Sequence, residues 1–164
     1  GSGCVGLALA DQVPACRVVL GELSTEALAV CGENVRRCGL ENRAEVRRLD
    51  ALRPPPEDLG RFSCIVCNPP YIPDGDIPDL DGSVRDFEPH MALRGGADGL
   101  DFYRAIVRDW RRVLLPGGRL YFEVGIGQAE AVRALLDAGG FTGTAVVPDG
   151  QGIDRVVSGA VPGT

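Results

Sequence analysis

The sequence has little that would serve a metal. Its only histidine is His90, and its six cysteines (Cys4, Cys16, Cys31, Cys38, Cys64 and Cys67) form no paired C-x-x-C set at zinc spacing. Cys64 and Cys67 do make one C-x-x-C, but within a predicted strand, where residues three apart point to opposite faces. Both are expected to be buried small hydrophobes, and all six thiols to be reduced, in a cytoplasmic protein. A basic excess is also lacking: 17 Lys and Arg stand against 23 Asp and Glu, a net charge of −6. Non-specific nucleic-acid binding draws its affinity from neutralised phosphates, so no direct nucleic-acid partner is expected. No apolar run approaches the ~20 residues of a membrane span and no signal peptide opens the chain, so no membrane partner is expected either. What remains is a chain of 164 residues, 45% apolar, long enough for one domain with a real core.

The most informative stretch is Cys64-Ile65-Val66-Cys67-Asn68-Pro69-Pro70-Tyr71. An apolar strand delivers Asn68 to its carboxyl end, and the prolines stop it there, because each ring fixes φ and removes an N–H donor. Asn68 precedes a proline, which biases it to an extended backbone. A rigid platform is expected, with the Asn68 side-chain oxygen and nearby carbonyls as acceptors and Tyr71 as a flat face. Such a site suits a planar NH2 group, which offers two donors and a surface to stack on.

At the front, Gly1, Gly3 and Gly6 have G-x-G-x-x-G spacing and run into a helix through Leu7, Ala8, Leu9 and Ala10. Glycines allow close backbone approach to a ligand, and a helix N-terminus supplies free N–H groups. The segment 16–20 reads as a short strand ending near Glu22, followed by a helix from the Ser24 N-cap to about Cys38, with Gly39 placed to end it. An acid at that strand end, ~20 residues after a Gly-rich loop, is where ribose hydroxyls are held in nucleotide-binding α/β units. Strands are expected at 44–50, 62–67, 119–124, 141–147 and 155–161. Strand 62–67, being apolar nearly throughout, suggests a sheet covered on both faces. Helices are expected at 101–115 and 128–138, and in the first of them Phe102, Ile106, Val107, Trp110, Val113 and Leu114 recur at core spacing. The long stretch 73–99 reads as a substrate-facing lid. This order implies an α/β fold with a mostly parallel sheet and an antiparallel edge at the C-terminal end.

Taken together, these features resemble class I S-adenosylmethionine-dependent methyltransferases, which have a Rossmann-like fold. More narrowly the chain is similar to the PrmC/HemK family of protein-(glutamine-N5) methyltransferases, which modify peptide chain release factors. The resemblance rests on GSGCVGLALA, ELSTEALAV, CNPPYI, FEPHMALRGGADGLDFYR (87–104), LLPGGRLYFEVGIGQ (114–128) and GIDRVVSG (152–159). It implies S-adenosylmethionine as cofactor, bordered by Gly1, Gly3, Glu22, Leu23, Asp50, Ala51 and Asn68. Glu22 stands where the family commonly has Asp, and Ala51 where it often has a large aromatic. The resemblance also implies that Asn68 holds the substrate amide, helped by the Pro69 carbonyl, while Pro70 and Tyr71 shape the pocket. No metal and no Ser or Cys nucleophile is expected, and the protein partner is a release factor. Family members carry, before this point, a first strand with an acid and further Gly, and a helical substrate-recognition domain. The sequence is therefore expected to be a methyltransferase catalytic domain, 1–164, lacking its N-terminal part and first strand. Two other readings stay open: a nucleic-acid amino-methyltransferase on the same NPPY platform, and a catalytically silent interaction module. The charge and the 87–104 stretch count against the first, and the intact NPPY against the second.

Overall fold

Residues 1–82 and 89–163 are described in the structure, a computed structural model, the side chain of His90 excepted. They fall into two units, Gly1–Asp50 and Ala51–Thr164. In the first, helix α1 (Cys4–Gln12) starts at Gly3, whose φ of 81° places it in the left-handed region open to glycine. Strand β1 (Val18–Glu22) leads to helix α2 (Thr25–Arg37), where Ser24 accepts a hydrogen bond from the Ala27 N–H at 3.3 Å, as its sequence position predicts. Strand β2 (Ala44–Arg48) then pairs in parallel with β1, setting Val18 opposite Ala44 and Glu22 opposite Arg48. Leu7, Ala10, Leu20, Cys31, Val35, Leu40 and Ala44 form the core of this unit. Gly6 makes the helix-to-strand approach possible: a Cβ there would lie 2.2 Å from Leu20 Cδ2. The Arg43 guanidinium donates to the carbonyls of Ala10 and Cys16, placing a cation over the C-terminal end of α1.

The second unit is built on a four-stranded sheet of order β3-β4-β6-β5. Strand β3 (Phe62–Cys67) is followed by helices α3 (His90–Leu93) and α4 (Asp101–Ala105), strand β4 (Leu114–Glu123) and helix α5 (Ala129–Ala138). Strands β5 (Thr142–Pro148) and β6 (Asp154–Ala160) complete it. β3 and β4 are parallel, while β6 is antiparallel to both β4 and β5, the predicted antiparallel edge. β4 buries Gly118, Leu120 and Phe122, the period of two that a strand imposes, and α5 buries Ala129, Val132 and Leu136 along one stripe. Tyr103 and Phe122 meet edge-to-face at 5.0 Å in the centre of this core.

The structure corrects several sequence expectations. The predicted helix 101–115 is α-helical only in α4, then widens into a π-turn over Ile106–Trp110 and tightens into a 3-10 turn over Arg111–Val113. Tertiary anchors accompany this change, with Trp110 Nε1 donating to the Arg53 carbonyl and Arg112 to that of Pro55. β4 already begins at Leu114, before the Pro-Gly-Gly expected to separate helix from strand. Leu115–Gly118 are absorbed as an irregularity between the pairs Phe62–Leu114 and Cys64–Arg119. Tyr103, not Phe102, is the fully buried aromatic of α4, because its hydroxyl finds the Glu123 carbonyl at 2.9 Å. β3 is not covered on both faces and Cys64 is not buried. Ser63, Cys64 and Val66 are exposed, and β3 has β4 as its only strand partner among the described residues. The six thiols are all free.

Leu20 is buried and cannot swing away freely. Gly6→Val is therefore expected to cost about 1–3 kcal/mol of stability through overpacking. A urea titration followed by circular dichroism reads this directly, and a midpoint equal to wild type would show that β1 yields to the added side chain.

Candidate active site

β3 carries the chain to Asn68, whose side chain is exposed, while Pro69 is buried and Pro70 and Tyr71 are half-buried. Tyr71 packs on the core of the second unit. The backbone leaving this turn is tied down at once. Ile72 donates to the Leu93 carbonyl at 3.0 Å, Gly95 donates to the Ile72 carbonyl at 2.8 Å, and Asp74 donates to the Gly96 carbonyl at 2.9 Å. Ile72 and Arg94 thereby form a short parallel bridge. Two glycines let these strands meet: a Cβ on Gly95 would stand 2.8 Å from the Tyr71 Cα, and one on Gly99 would stand 2.3 Å from the Tyr71 carbonyl oxygen. From the other side, Gln128 Nε2 donates to the Tyr71 carbonyl at 2.9 Å and its Oε1 accepts from the Gly125 N–H at 3.0 Å.

The first unit gathers a different set. Because β1 and β2 are parallel and in register, Glu22 and Asp50 come to the same, carboxyl end, where Leu49 donates to the Glu22 carbonyl at 2.9 Å. Glu22 Oε1 accepts from the N–H groups of Leu23 (2.7 Å) and Ser24 (2.8 Å). Asn34 Nδ2 donates to the Ser2 carbonyl at 3.0 Å, so the Gly-Ser-Gly turn is fixed beside the acid. Gly1, Gly3, Glu22, Leu23 and Asp50 thus cluster at one strand end, which is where open α/β sheets bind nucleotides. Ala51 belongs to the second unit and packs on its core. The donor set fits a nucleoside: a carboxylate for a diol, and a helix N-terminus begun by glycine.

The chain as a whole is similar to known proteins. The methyltransferase small domain family matches residues 1–79. The release factor glutamine methyltransferase of Geobacter sulfurreducens is 45% identical over 161 residues, 98% of this chain and 55% of that protein. That of Cereibacter sphaeroides is 43% identical over 162 residues, 99% of this chain and 57% of that protein. The chain is similar over nearly its whole length to these release factor glutamine methyltransferases. It spans about half the length of these curated relatives. Its fold is that of class I S-adenosylmethionine-dependent methyltransferases. One solved example, the apo form of the methyltransferase SibL, matches with a TM-score of 0.66 at 19% identity over 99% of this chain and 48% of that one. No helix among the described residues is long and apolar enough to cross a membrane.

The structure gives the 94–104 stretch a role that spacing did not suggest. Residues 83–88 of the expected lid lie outside the described residues, but 93–99 forms a bracket behind the Asn68–Tyr71 turn. The bracket is closed by Asp101 donating to the Gly95 carbonyl at 3.0 Å and by Asp98, which accepts from the Leu100 N–H and from both terminal nitrogens of Arg104. Gln128 closes the stretch LLPGGRLYFEVGIGQ (114–128), and sequence reasoning gives it no role. Its signal was a lone polar residue between Gly125 and the apolar stripe of α5.

The guanidinium of Arg104 beside Asp98 holds that carboxyl down to about 2. A carboxyl whose pKa is lower folded than unfolded stabilises the fold above its unfolded value, about 3.9, and loses that effect as pH falls toward its folded one. Asp98→Asn is expected to lower the urea midpoint modestly at neutral pH, with wild-type and variant curves converging between about pH 4 and about pH 2. Curves that stay parallel across that window would assign the acid sensitivity elsewhere.

Proposed function

We propose that this chain carries the catalytic chemistry of S-adenosylmethionine-dependent N5-methylation of a glutamine side chain in a peptide chain release factor, in the cytoplasm. The observation that carries this reading is the Asn68-Pro69-Pro70-Tyr71 turn, with an exposed Asn side chain on a backbone held from both sides. The homology to release factor glutamine methyltransferases supports the choice of substrate.

A carboxamide nitrogen is a poor nucleophile because its lone pair is delocalised into the carbonyl. Asn68 Oδ1 and the Pro69 carbonyl would accept its two N–H groups, fixing the direction of the nitrogen and pushing electron density onto it. Pro70 and Tyr71 would wall the pocket around the amide. Gly1, Gly3, Glu22, Leu23, Asp50 and Ala51 would hold the cofactor, with Glu22 on the ribose hydroxyls. When bound, S-adenosylmethionine supplies an activated methyl group on a sulfonium. The enzyme's task is then alignment, and holding reactants in near-attack geometry contributes up to about 7–11 kcal/mol of a barrier. The methylated nitrogen briefly carries a surplus proton, and an N-protonated amide is acidic enough to release it to water.

The test uses the full-length protein with isotopically labelled cofactor and purified release factor. Label is expected on one glutamine of the factor. Transfer to RNA or DNA and not to the factor would overturn the reading. Asn68→Ala is expected to slow transfer by about 10²–10³-fold, the usual cost of deleting a preorganised hydrogen-bonding group at a reacting centre. Cofactor affinity should stay within about threefold, under 1 kcal/mol. Undiminished turnover would remove Asn68 from the mechanism.

A further inference from the structure

We propose that Gln128 is a positioning residue for methyl transfer, holding the Tyr71 carbonyl and through it the Asn68–Tyr71 turn. The inference rests on the functional reading above and extends it to a residue that reading does not use. Gln128 occupies the N-cap position of α5, where a Ser, Thr, Asp or Asn side chain would accept from an N–H of the first turn. It makes no such cap. Both ends of its amide point away from the helix instead, Oε1 to the Gly125 N–H (3.0 Å) and Nε2 to the carbonyls of Tyr71 (2.9 Å) and, more weakly, Gly99 (3.5 Å).

The site is built around this side chain. Gly125 gives it room, since a Cβ there would stand 2.8 Å from Oε1 and 3.0 Å from the Tyr71 ring. Gly99 does the same on the opposite side, with a φ of 76° and a notional Cβ 2.6 Å from Nε2. The base of the side chain is rigid, because the Gln128 N–H donates to Gly125 and its carbonyl accepts from Val132 at 3.0 Å, next to buried Ala129 and Val132. Only a side-chain amide offers an acceptor and two donors on one planar group, which this junction of one N–H and two carbonyls requires. Tyr71 is joined to Asn68 through two residues whose φ is fixed by proline rings, so a displaced Tyr71 carries the Asn68 acceptor with it. A shift of about 1 Å at a reacting centre costs about 10²-fold in rate.

Two variants of the full-length protein test this. Gln128→Leu keeps the bulk and removes both hydrogen-bonding ends. Gln128→Glu keeps an acceptor for Gly125 but, ionised, has no donor for Tyr71. Both are expected to lower kcat about 10–100-fold, while the KM for the release factor and the cofactor Kd stay within about threefold. In protein labelled with 3-fluorotyrosine, the Tyr71 fluorine line, assigned by its loss in Tyr71→Phe, should shift and broaden in both variants. A kcat within twofold of wild type in both, or rate losses matched by equal losses of cofactor affinity, would overturn the proposal. If Gln128→Leu does not fold, Gln128→Glu decides alone. If the wild-type enzyme transfers no methyl group to the factor, the functional reading fails. The fluorine line then decides whether Gln128 holds Tyr71: an unmoved line overturns the positioning, and a moved one upholds it.

Discussion

Two adjacent proline rings set the terms for the second unit. Pro69 and Pro70 remove two consecutive donors from the end of β3 and fix two φ angles, so the chain can neither extend the strand nor fold back on itself. The segment that emerges must find its partners elsewhere. It finds them in Leu93, Gly96 and Gln128, which arrive from regions far along the chain. The bracket and the start of α5 are arranged to receive that segment. The Asn68 side chain is left facing outward on a support with little freedom.

Glycine makes the arrangement possible by its lack of a side chain as much as by its conformational range. Gly95 and Gly125 have no positive φ, yet a Cβ at either would press on Tyr71. Gly6 shows the same economy in the first unit, against Leu20. Close approach of backbone to backbone, or backbone to buried side chain, is the common requirement. It matters most at Tyr71, whose carbonyl accepts from Gln128 while Gly99 passes close beside it.

Electrostatics plays a local part. The ion pairs of the bracket are solvent-exposed, where such pairs contribute modestly. Asp98 matters more through geometry, accepting from Leu100 and Arg104 at once and so closing the turn that brings Gly95 and Gly99 to Tyr71. Burial raises the pKa of the Tyr103 phenol, so it stays a donor to the Glu123 carbonyl and ties α4 to the end of β4.

The sequence by itself determined the elements whose causes are local. Ser24 caps α2 because a hydroxyl at that position meets an unbonded N–H, and the alternation of β4 and the stripe of α5 follow from side-chain periodicity. The Asn68-Pro69-Pro70 turn was legible for the same reason, since proline acts on its own backbone. The strand-end placement of Glu22 and Asp50 followed from spacing. Tertiary structure decided what depends on distant partners. The helix predicted over 101–115 changes its winding where Trp110 and Arg112 reach carbonyls 57 residues earlier, and periodicity carries no trace of those bonds. β3 reads as fully covered because its composition is apolar, but exposure depends on neighbours and not on composition. Tyr103 outranks Phe102 in the core because one carbonyl, at Glu123, waits for its hydroxyl. The stretch read as a lid serves, in its described part, to hold the turn from behind, because backbone hydrogen bonds between 72–74 and 93–96 have no signature in the identity of the residues that make them.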